Sequence, residues 1–372
     1  CNDDSQESDH CGLLQLRHSY DSEEMYGDEY GYRSGLNQSM VVHLDNKVKE
    51  ILNIISLKPQ DLIIDIGSND GTLLKSYPSS FLNRVGIDPT GKKFAKYYPK
   101  TIKLIPDFFS AKLIQEHYGK KKALVVTSIS MFYDLESPMD FMQQVYDILD
   151  DDGVWVFEQS YMPTMLKMNA YDTICHEHLE YYGMKQVKWM TDRIGFKIFD
   201  IKFNTINGGS FSIAVTKRNN KNIRENLDQT KSVLAQEKAL KLSSLEPYET
   251  FKNNVFRHRQ ELLEFVNDVN AGSKLLLGYG ASTKGNVVLQ FCGLTEKDIS
   301  CIADVNEDKF SCFTPGTGIP IVSESKAKAL NPDYFLVLPW HFKNNILARE
   351  KTFLQEGGAM VFPLPKIEIH KK

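Results

Sequence analysis

The sequence predicts an α/β protein: two Rossmann-like, parallel-sheet halves joined by a helical connector, with a small N-terminal lobe in front. Three observations predict it. Short apolar runs recur with helix-like or loop segments between them, the signature of βαβ units covered on both faces. Two of these runs lead directly into a glycine turn and then a helix. A charged, helical stretch separates the two groups of runs.

Taken in order, residues 1–50 are polar and rich in tyrosine and acid, with a Cys-Gly turn at Cys11–Gly12. "DLIIDIG", "VGIDP", "TIKLIPDFF", "ALVVTSIS" and "GVWVFEQ" then read as five successive buried strands. "FKIFDIKFNTINGGSFSIAVTK" reads as an antiparallel pair around a tight Asn-Gly-Gly turn. Residues 219–270 follow as a charged helical stretch, interrupted only by Pro247. The strand pattern resumes with "KLLLGYGASTKGN", "ISCIADV" and "YFLVLPW". No internal repeat of 20–50 residues is visible, although the strand–glycine-turn–helix unit occurs twice.

A length of 372 residues suits two or three domains. Apolar residues at 42% and charged residues at 25% are the mix of a soluble globular chain. A net charge of −4 argues against nucleic acid or an anionic membrane surface as partner, because both call for a concentrated basic face. No apolar run reaches the roughly 18 residues of a membrane-spanning helix. No secretory signal is visible, and the chain starts at Cys1. The six cysteines, at positions 1, 11, 175, 292, 301 and 312, lack the spacing of a small disulfide domain, so free thiols in a reducing cytoplasm are expected.

The first glycine turn, "IIDIGSNDGTLL", sets Asp65, Gly67, Ser68, Asn69, Asp70 and Gly71 between a strand and a helix. Glycine accepts positive φ freely and asparagine next best, so Asn69 can stand where a third glycine would. Amides at the helix start then face a ligand. The G-x-x-x-G spacing departs from the dinucleotide pattern, and the acid two residues before it suits a ligand ammonium better than a pyrophosphate. Asp88 ends the second strand, where a carboxylate can accept both hydroxyls of a ribose. Asp107 and Phe108 follow the third strand and could flank an adenine ring. Ser128 is expected where the fourth strand opens into the cleft. The plainer alternative is a turn with solvated acids.

These strand-end residues resemble the binding site of class I S-adenosylmethionine methyltransferases. More narrowly, "DIGSNDGTLL", "ICHEHLEYY", "NGGSF", "GYGASTKGN" and "LPWHFKNNIL" together resemble the C-methyltransferases of nucleotide-activated deoxysugars. The resemblance runs from about residue 26 to the end. It implies an N-terminal lobe or lid at 1–50, an S-adenosylmethionine-dependent methyltransferase domain at 51–218, and a Rossmann-like substrate-binding domain with the connector at 219–372. The substrate it implies is a nucleotide-diphospho keto-sugar.

The stretch "YDTICHEHLEYYG" carries the chemistry. His176 and His178 are two residues apart, not the four of a zinc-protease helix, and no third ligand is obvious nearby besides Cys175 or Glu177. Histidines packing a loop are a second reading. The third is proton transfer: methylating a carbon beside a ketone requires removal of an α-proton, and histidine titrates near neutral pH. The resemblance makes His178 the base, with Glu177 and His176 orienting it or holding sugar hydroxyls. It places a tyrosine where this chain has Cys175, and a thiol is a poor donor to an enolate. The front segment "YGDEYGYRSGLNQSMVVH" matches a tyrosine-rich lid, which makes Tyr30 and Tyr32 candidates for that donor. A further departure is Phe132–Tyr133, where relatives often carry a histidine.

The resemblance also implies a zinc-binding lobe held by two cysteine pairs. Here Cys1 and Cys11, with His10 beside them, form an incomplete set, so either the first pair precedes this sequence or the lobe has lost its metal. The second glycine turn has Gly278, Gly280 and Gly285, with Asp304 26 residues after Gly278, a passable dinucleotide fingerprint. It supports a rival reading, a nicotinamide-dependent oxidoreductase. A non-catalytic nucleotide-sugar-binding protein is a second rival. The resemblance instead sets Tyr279, Ser282 and Lys284 near the sugar or diphosphate, with Asn207 and Gly208 as a hairpin turn that touches substrate.

Overall fold

A computed structural model describes residues 12–27, 30–81 and 83–372. They fall into two compact units that interleave along the chain. The first comprises the described residues of Cys1–Met162 with His176–Asn204 and Gly209–Ser243; the second comprises Pro163–Cys175, Thr205–Gly208 and Ser244–Lys372.

In the first unit, β1 (Leu14–Gln15) pairs antiparallel with β7 (Glu180–Tyr181). The main sheet uses β2 (Leu62–Ile66), β3 (Asn83–Ile87), β4 (Ile102–Ile105), β5 (Ala123–Ile129), β6 (Leu149–Ser160), β8 (Phe196–Asn204) and β9 (Ser210–Lys217). Their order is β4-β3-β2-β5-β6-β9-β8; β2 to β6 run parallel, and β9 joins β6 antiparallel. All five residues of β2 are buried, as expected for a parallel strand covered on both faces. One face carries an aromatic core in which Trp155 stacks on Phe157 at 4.4 Å between centroids and Phe132 packs against both. On the helix Gln38–Ile54, Met40, Leu44, Val48 and Ile51 form the buried stripe, and the Asn37 side chain caps the first turn by accepting from the Ser39 amide.

The second unit repeats the plan. Its strands are β10 (Leu276–Tyr279), β11 (Ile302–Asp304), β12 (Ile321–Ser323), β13 (Tyr334–Val337), β14 (Ala359–Phe362) and β15 (Glu368–His370), in the order β12-β11-β10-β13-β14-β15 with only β15 antiparallel. Both sheets therefore reverse direction beside their first strand, the switch point where α/β proteins open a crevice. The sequence pattern anticipates β10, β11 and β13 but not β12, β14 or β15.

The stretch 219–270 forms two helices, Leu227–Ala239 and Glu246–Ala271, with Pro247 in the first turn of the second. The division expected at residue 218 differs from the compact units for a physical reason. Glu237 of Leu227–Ala239 accepts the Tyr161 hydroxyl (2.8 Å) and the Met184 and Lys185 amides, which ties this helix to the first unit. A carboxylate at those amides also caps the helix Met184–Ile194 where its dipole is positive. Among the described residues no helix is long and apolar enough to cross a membrane.

Candidate active site

The turn after β2 opens onto a cavity of about 310 Å³. Asp65, Gly67, Ser68, Asn69, Asp88 and Phe108 line it, six of the residues the sequence assigns to a cofactor. Asn69 takes φ 50° and Gly67 φ 72°, the left-handed region the turn requires. A Cβ on Gly67 would stand 3.0 Å from Met131 Cγ. Asp65 accepts the Thr127 hydroxyl at 2.6 Å; burial, opposed by that bond and aided by Asp88, pushes its pKa up to about 7. Asp88 accepts the Asn69 amide (2.7 Å), the Thr90 amide (2.8 Å) and the Thr90 hydroxyl.

Four assigned residues stand elsewhere. Ser128 is fully buried and accepts the Trp155 indole N–H at 3.0 Å. Side chains alternate along β5, so Thr127 reaches Asp65 while Ser128 faces the aromatic core. Ile129, Ser130 and Met131 supply the cavity wall in its place. Asp70 accepts the Thr72 and Gly35 amides and is absent from the lining. Gly71, at φ 73°, lies under the Tyr98 ring, which a Cβ would meet at 2.9 Å. Asp107 accepts the amide of Phe108, and only Phe108 borders the cavity.

The tyrosine-rich arm closes another wall of the same cavity with Tyr26, Tyr30 and Tyr32. The arm is clipped to the glycine turn: Asn69 Oδ1 accepts the Ser34 amide (2.9 Å), Asn69 Nδ2 donates to the Tyr32 carbonyl (3.1 Å), and Asp70 accepts the Gly35 amide (3.1 Å). Tyr30 is the better placed of the two tyrosines for chemistry. Burial raises both phenols, and the charges of Glu177 and Asp134 hold that of Tyr30 well above the usual range, whereas the Tyr32 side chain is 48% exposed. Asp134, on the turn after β5, lines the cavity and accepts the Tyr26 hydroxyl at 2.8 Å. Neither Tyr26 nor Asp134 stands out in the sequence; they lie 108 positions apart and only folding joins them.

His178 is 7% exposed and sits edge-on to the Tyr133 ring, 4.3 Å between centroids, while the Leu179 amide donates to the Tyr133 carbonyl. Tyr133 thus buttresses His178. A Glu177 oxygen and a His178 nitrogen lie within 4.8 Å of each other. His176 is exposed, its ring against Tyr20 at 4.6 Å. Cys1 and Cys11, the expected zinc ligands, and His10 lie outside the described residues.

In the second unit, Gly280 takes φ 83°, and a Cβ there would strike Pro339 at 2.7 Å. A Cβ on Gly285 would meet Leu338 at 2.5 Å. These glycines admit the protein's own Leu338–Pro339. Asp304 accepts the Ala281 and Asn306 amides, each at 2.7 Å, the counterpart of Asp88. Ser282 caps the helix Thr283–Cys292 by accepting the Gly285 amide. Tyr279 departs from its expected place: it is 2% exposed, donates to Glu350 at 2.7 Å and accepts from Arg349, within a network that includes Lys328. Its hydroxyl is therefore engaged with protein.

Lys284 donates to the Asn207 carbonyl (2.6 Å) and stands 3.5 Å from the Thr173 hydroxyl. Asp172, 1% exposed, accepts the Trp340 indole at 2.7 Å, and its Oδ1 has no hydrogen-bond partner. Half-buried His341, also with an unpartnered Nδ1, is held down to about 3 by desolvation and by Lys284. Asn207 (φ 55°) and Gly208 (φ 88°) form the turn beneath Trp340, whose ring a Cβ on Gly208 would meet at 3.2 Å. Cys175 is buried and forms no disulfide.

Residues 40–201 match the family described as methyltransferase domain, and residues 205–365 the family described as C-methyltransferase C-terminal domain. The C-methyltransferase NovU of Streptomyces niveus is 29% identical over 358 residues, 96% of this chain and 84% of that protein. The sphingolipid C9-methyltransferase of Komagataella phaffii is 28% identical over 169 residues, 39% of this chain and 35% of that protein. A solved S-adenosylmethionine-dependent methyltransferase from Archaeoglobus fulgidus overlaps 48% of this chain and 94% of its own, with 13% identity and a TM-score of 0.36, too partial to add to the fold described above.

Proposed function

We propose that this chain, with its S-adenosylmethionine-dependent methyltransferase domain, is a C-methyltransferase that deprotonates a nucleotide-diphospho keto-deoxysugar beside its ketone and methylates the enolate carbon. One observation carries the reading. Among the described residues, the cavity lining contains Asp65, Asp88 and Glu136 but no lysine or arginine. Such a wall repels a diphosphate and suits a ligand that carries cationic sulfonium and ammonium groups. A nicotinamide dinucleotide fits it poorly.

The residues fit that cofactor: Asp65 for the ammonium group, the Gly67–Asn69 turn for close approach, Asp88 for the ribose hydroxyls and Phe108 for the adenine face. Asp88 already accepts three protein donors, which leaves about one lone-pair site for a ribose hydroxyl. When bound, S-adenosylmethionine supplies an electrophilic methyl group and needs no metal to activate it. His178 takes the α-proton and Glu177 orients its ring, although neither lines the cavity, and Tyr30 donates into the cavity. His176 holds a sugar hydroxyl. In the second unit Lys284 answers the diphosphate, with Ser282, Asn207, Gly208 and Cys175 bordering the sugar nucleotide.

Calorimetry with S-adenosylhomocysteine and with NAD tests the reading. S-adenosylhomocysteine should bind and NAD should not; the reverse result overturns it. Mass spectrometry of products from a panel of nucleotide keto-sugars then identifies the substrate by a gain of one methyl group.

A further inference from the structure

Cys175 leaves the enolate oxygen without the phenol that the resemblance supplies at that position, and beside Tyr30 an oxyanion takes a second donor. That donor must line the cavity, be held in place before the reaction, and have an atom free to donate. Asp134 meets these conditions. It lies on the 3-10 turn Phe132–Asp134 that follows β5, and it lines the cavity with Tyr26 and Tyr30. Oδ2 is fixed by the Tyr26 hydroxyl at 2.8 Å, and the buried Oδ1 has no hydrogen-bond partner. Buried polar atoms are nearly always paired, and one left unpaired beside a cavity calls for a partner there, which a ligand can supply.

We infer that Asp134, as a neutral carboxylic acid, donates from Oδ1 to the substrate oxygen as the enolate forms, with Tyr26 as its positioning residue. This rests on the α-deprotonation reading above. An ionised Asp134 would repel the enolate, so the proton must stay on the acid. The groups that interact with Asp134 are Tyr26 and Tyr30 from the arm and Glu177 from the loop after residue 175, and none is a cation. Burial, with Glu177 adding to it, holds the carboxyl well above the ordinary range. A carboxylic acid kept neutral by its surroundings is a strong donor to an oxyanion. In the step, the α C–H bond breaks, its proton goes to His178, and the electron pair moves onto the carbonyl oxygen. Asp134 keeps its own proton throughout.

The test is exchange of the substrate α-proton with deuterated water, followed by NMR on a thymidine-diphospho-4-keto-6-deoxyhexose and its uridine analogue. S-adenosylhomocysteine is present, so no methyl donor is needed. Absence of exchange in the wild type overturns the deprotonation reading itself, and this proposal with it. Given wild-type exchange, Asp134→Ala should slow it about 100- to 1,000-fold, the usual effect of losing one oxyanion donor. Asp134→Asn should lose no more than about tenfold, because its amide still donates while its carbonyl still accepts from Tyr26. It should also lack the decline at high pH that ionisation of Asp134 gives the wild type. Tyr26→Phe should move that decline to higher pH, since the lost bond had stabilised the carboxylate. Both Asp134 variants should bind S-adenosylhomocysteine as the wild type does. Wild-type exchange in Asp134→Ala overturns the assignment. So does an Asn variant as slow as the Ala one, or one that loses affinity for S-adenosylmethionine but not S-adenosylhomocysteine, which would mean a carboxylate facing the sulfonium.

Discussion

At the level of single residues, two carboxylates in the cavity carry opposite tasks. Asp65 is raised from 3.8 to about 7 on burial. The sign follows from that shift: its contribution to the stability of the free protein is present below about 4 and lost as pH rises towards 7. An ammonium pairs only with the carboxylate, so affinity for S-adenosylhomocysteine should climb as pH rises to about 7 and then level off. Asp65→Asn should flatten that profile in calorimetry. Asp88→Ala should weaken the same ligand by roughly 1.5–3 kcal/mol, the range for a hydrogen bond to a charged group; unchanged affinity in a folded variant would remove Asp88 from the site. For the base, His178→Gln should keep its fold and its ligand binding but slow α-proton exchange by about 100- to 10,000-fold. Exchange at the wild-type rate would shift the role to His176.

At the level of elements, the helix Gln38–Ile54 does two jobs at once. Met40 and Leu44 line the cavity, while His43 and Lys47, next along the helix, bond to Glu158 on β6 at 2.6 and 3.0 Å. Asn204 of β8 adds a third donor at 3.0 Å, and Glu158 is fully buried. Burial pushes Glu158 up, but its bonds with His43 and Lys47 outweigh that and hold it below the usual carboxylate value. Its contribution is therefore present above the unfolded pKa and lost as pH falls through the folded one. Glu158→Leu strands a buried lysine, so denaturant unfolding should show a loss of roughly 3–5 kcal/mol. The arm depends on a different contact. Asn69→Gly keeps the positive φ but removes the side chain that holds Ser34 and Tyr32, so amide exchange at Ser34 should quicken while the glycine turn stays protected.

At the level of the whole molecule, the glycine turns of the two units face different surroundings. The first opens onto an acidic cavity; the second is closed by Leu338 and Pro339, with Lys284 nearby in the chain. Lys284→Ala should raise KM for the sugar nucleotide and leave S-adenosylhomocysteine affinity unchanged; a fall in cofactor affinity instead would reverse the assignment of ligands. The sequence by itself determined the parallel strands, the α/β class and the positive φ at Asn69, because strand periodicity and turn sterics act between near neighbours. It also marked Asp65, Asp88 and Phe108, which need only stand at strand ends. The tertiary structure alone decided which face each side chain takes and which distant residues meet. Ser128 turned to the core, Tyr279 to an ion network and Asp70 to the arm, since a neighbouring element competes for each polar group. Tyr26 and Asp134 met across 108 positions, and no local pattern records a hydrogen bond of that range.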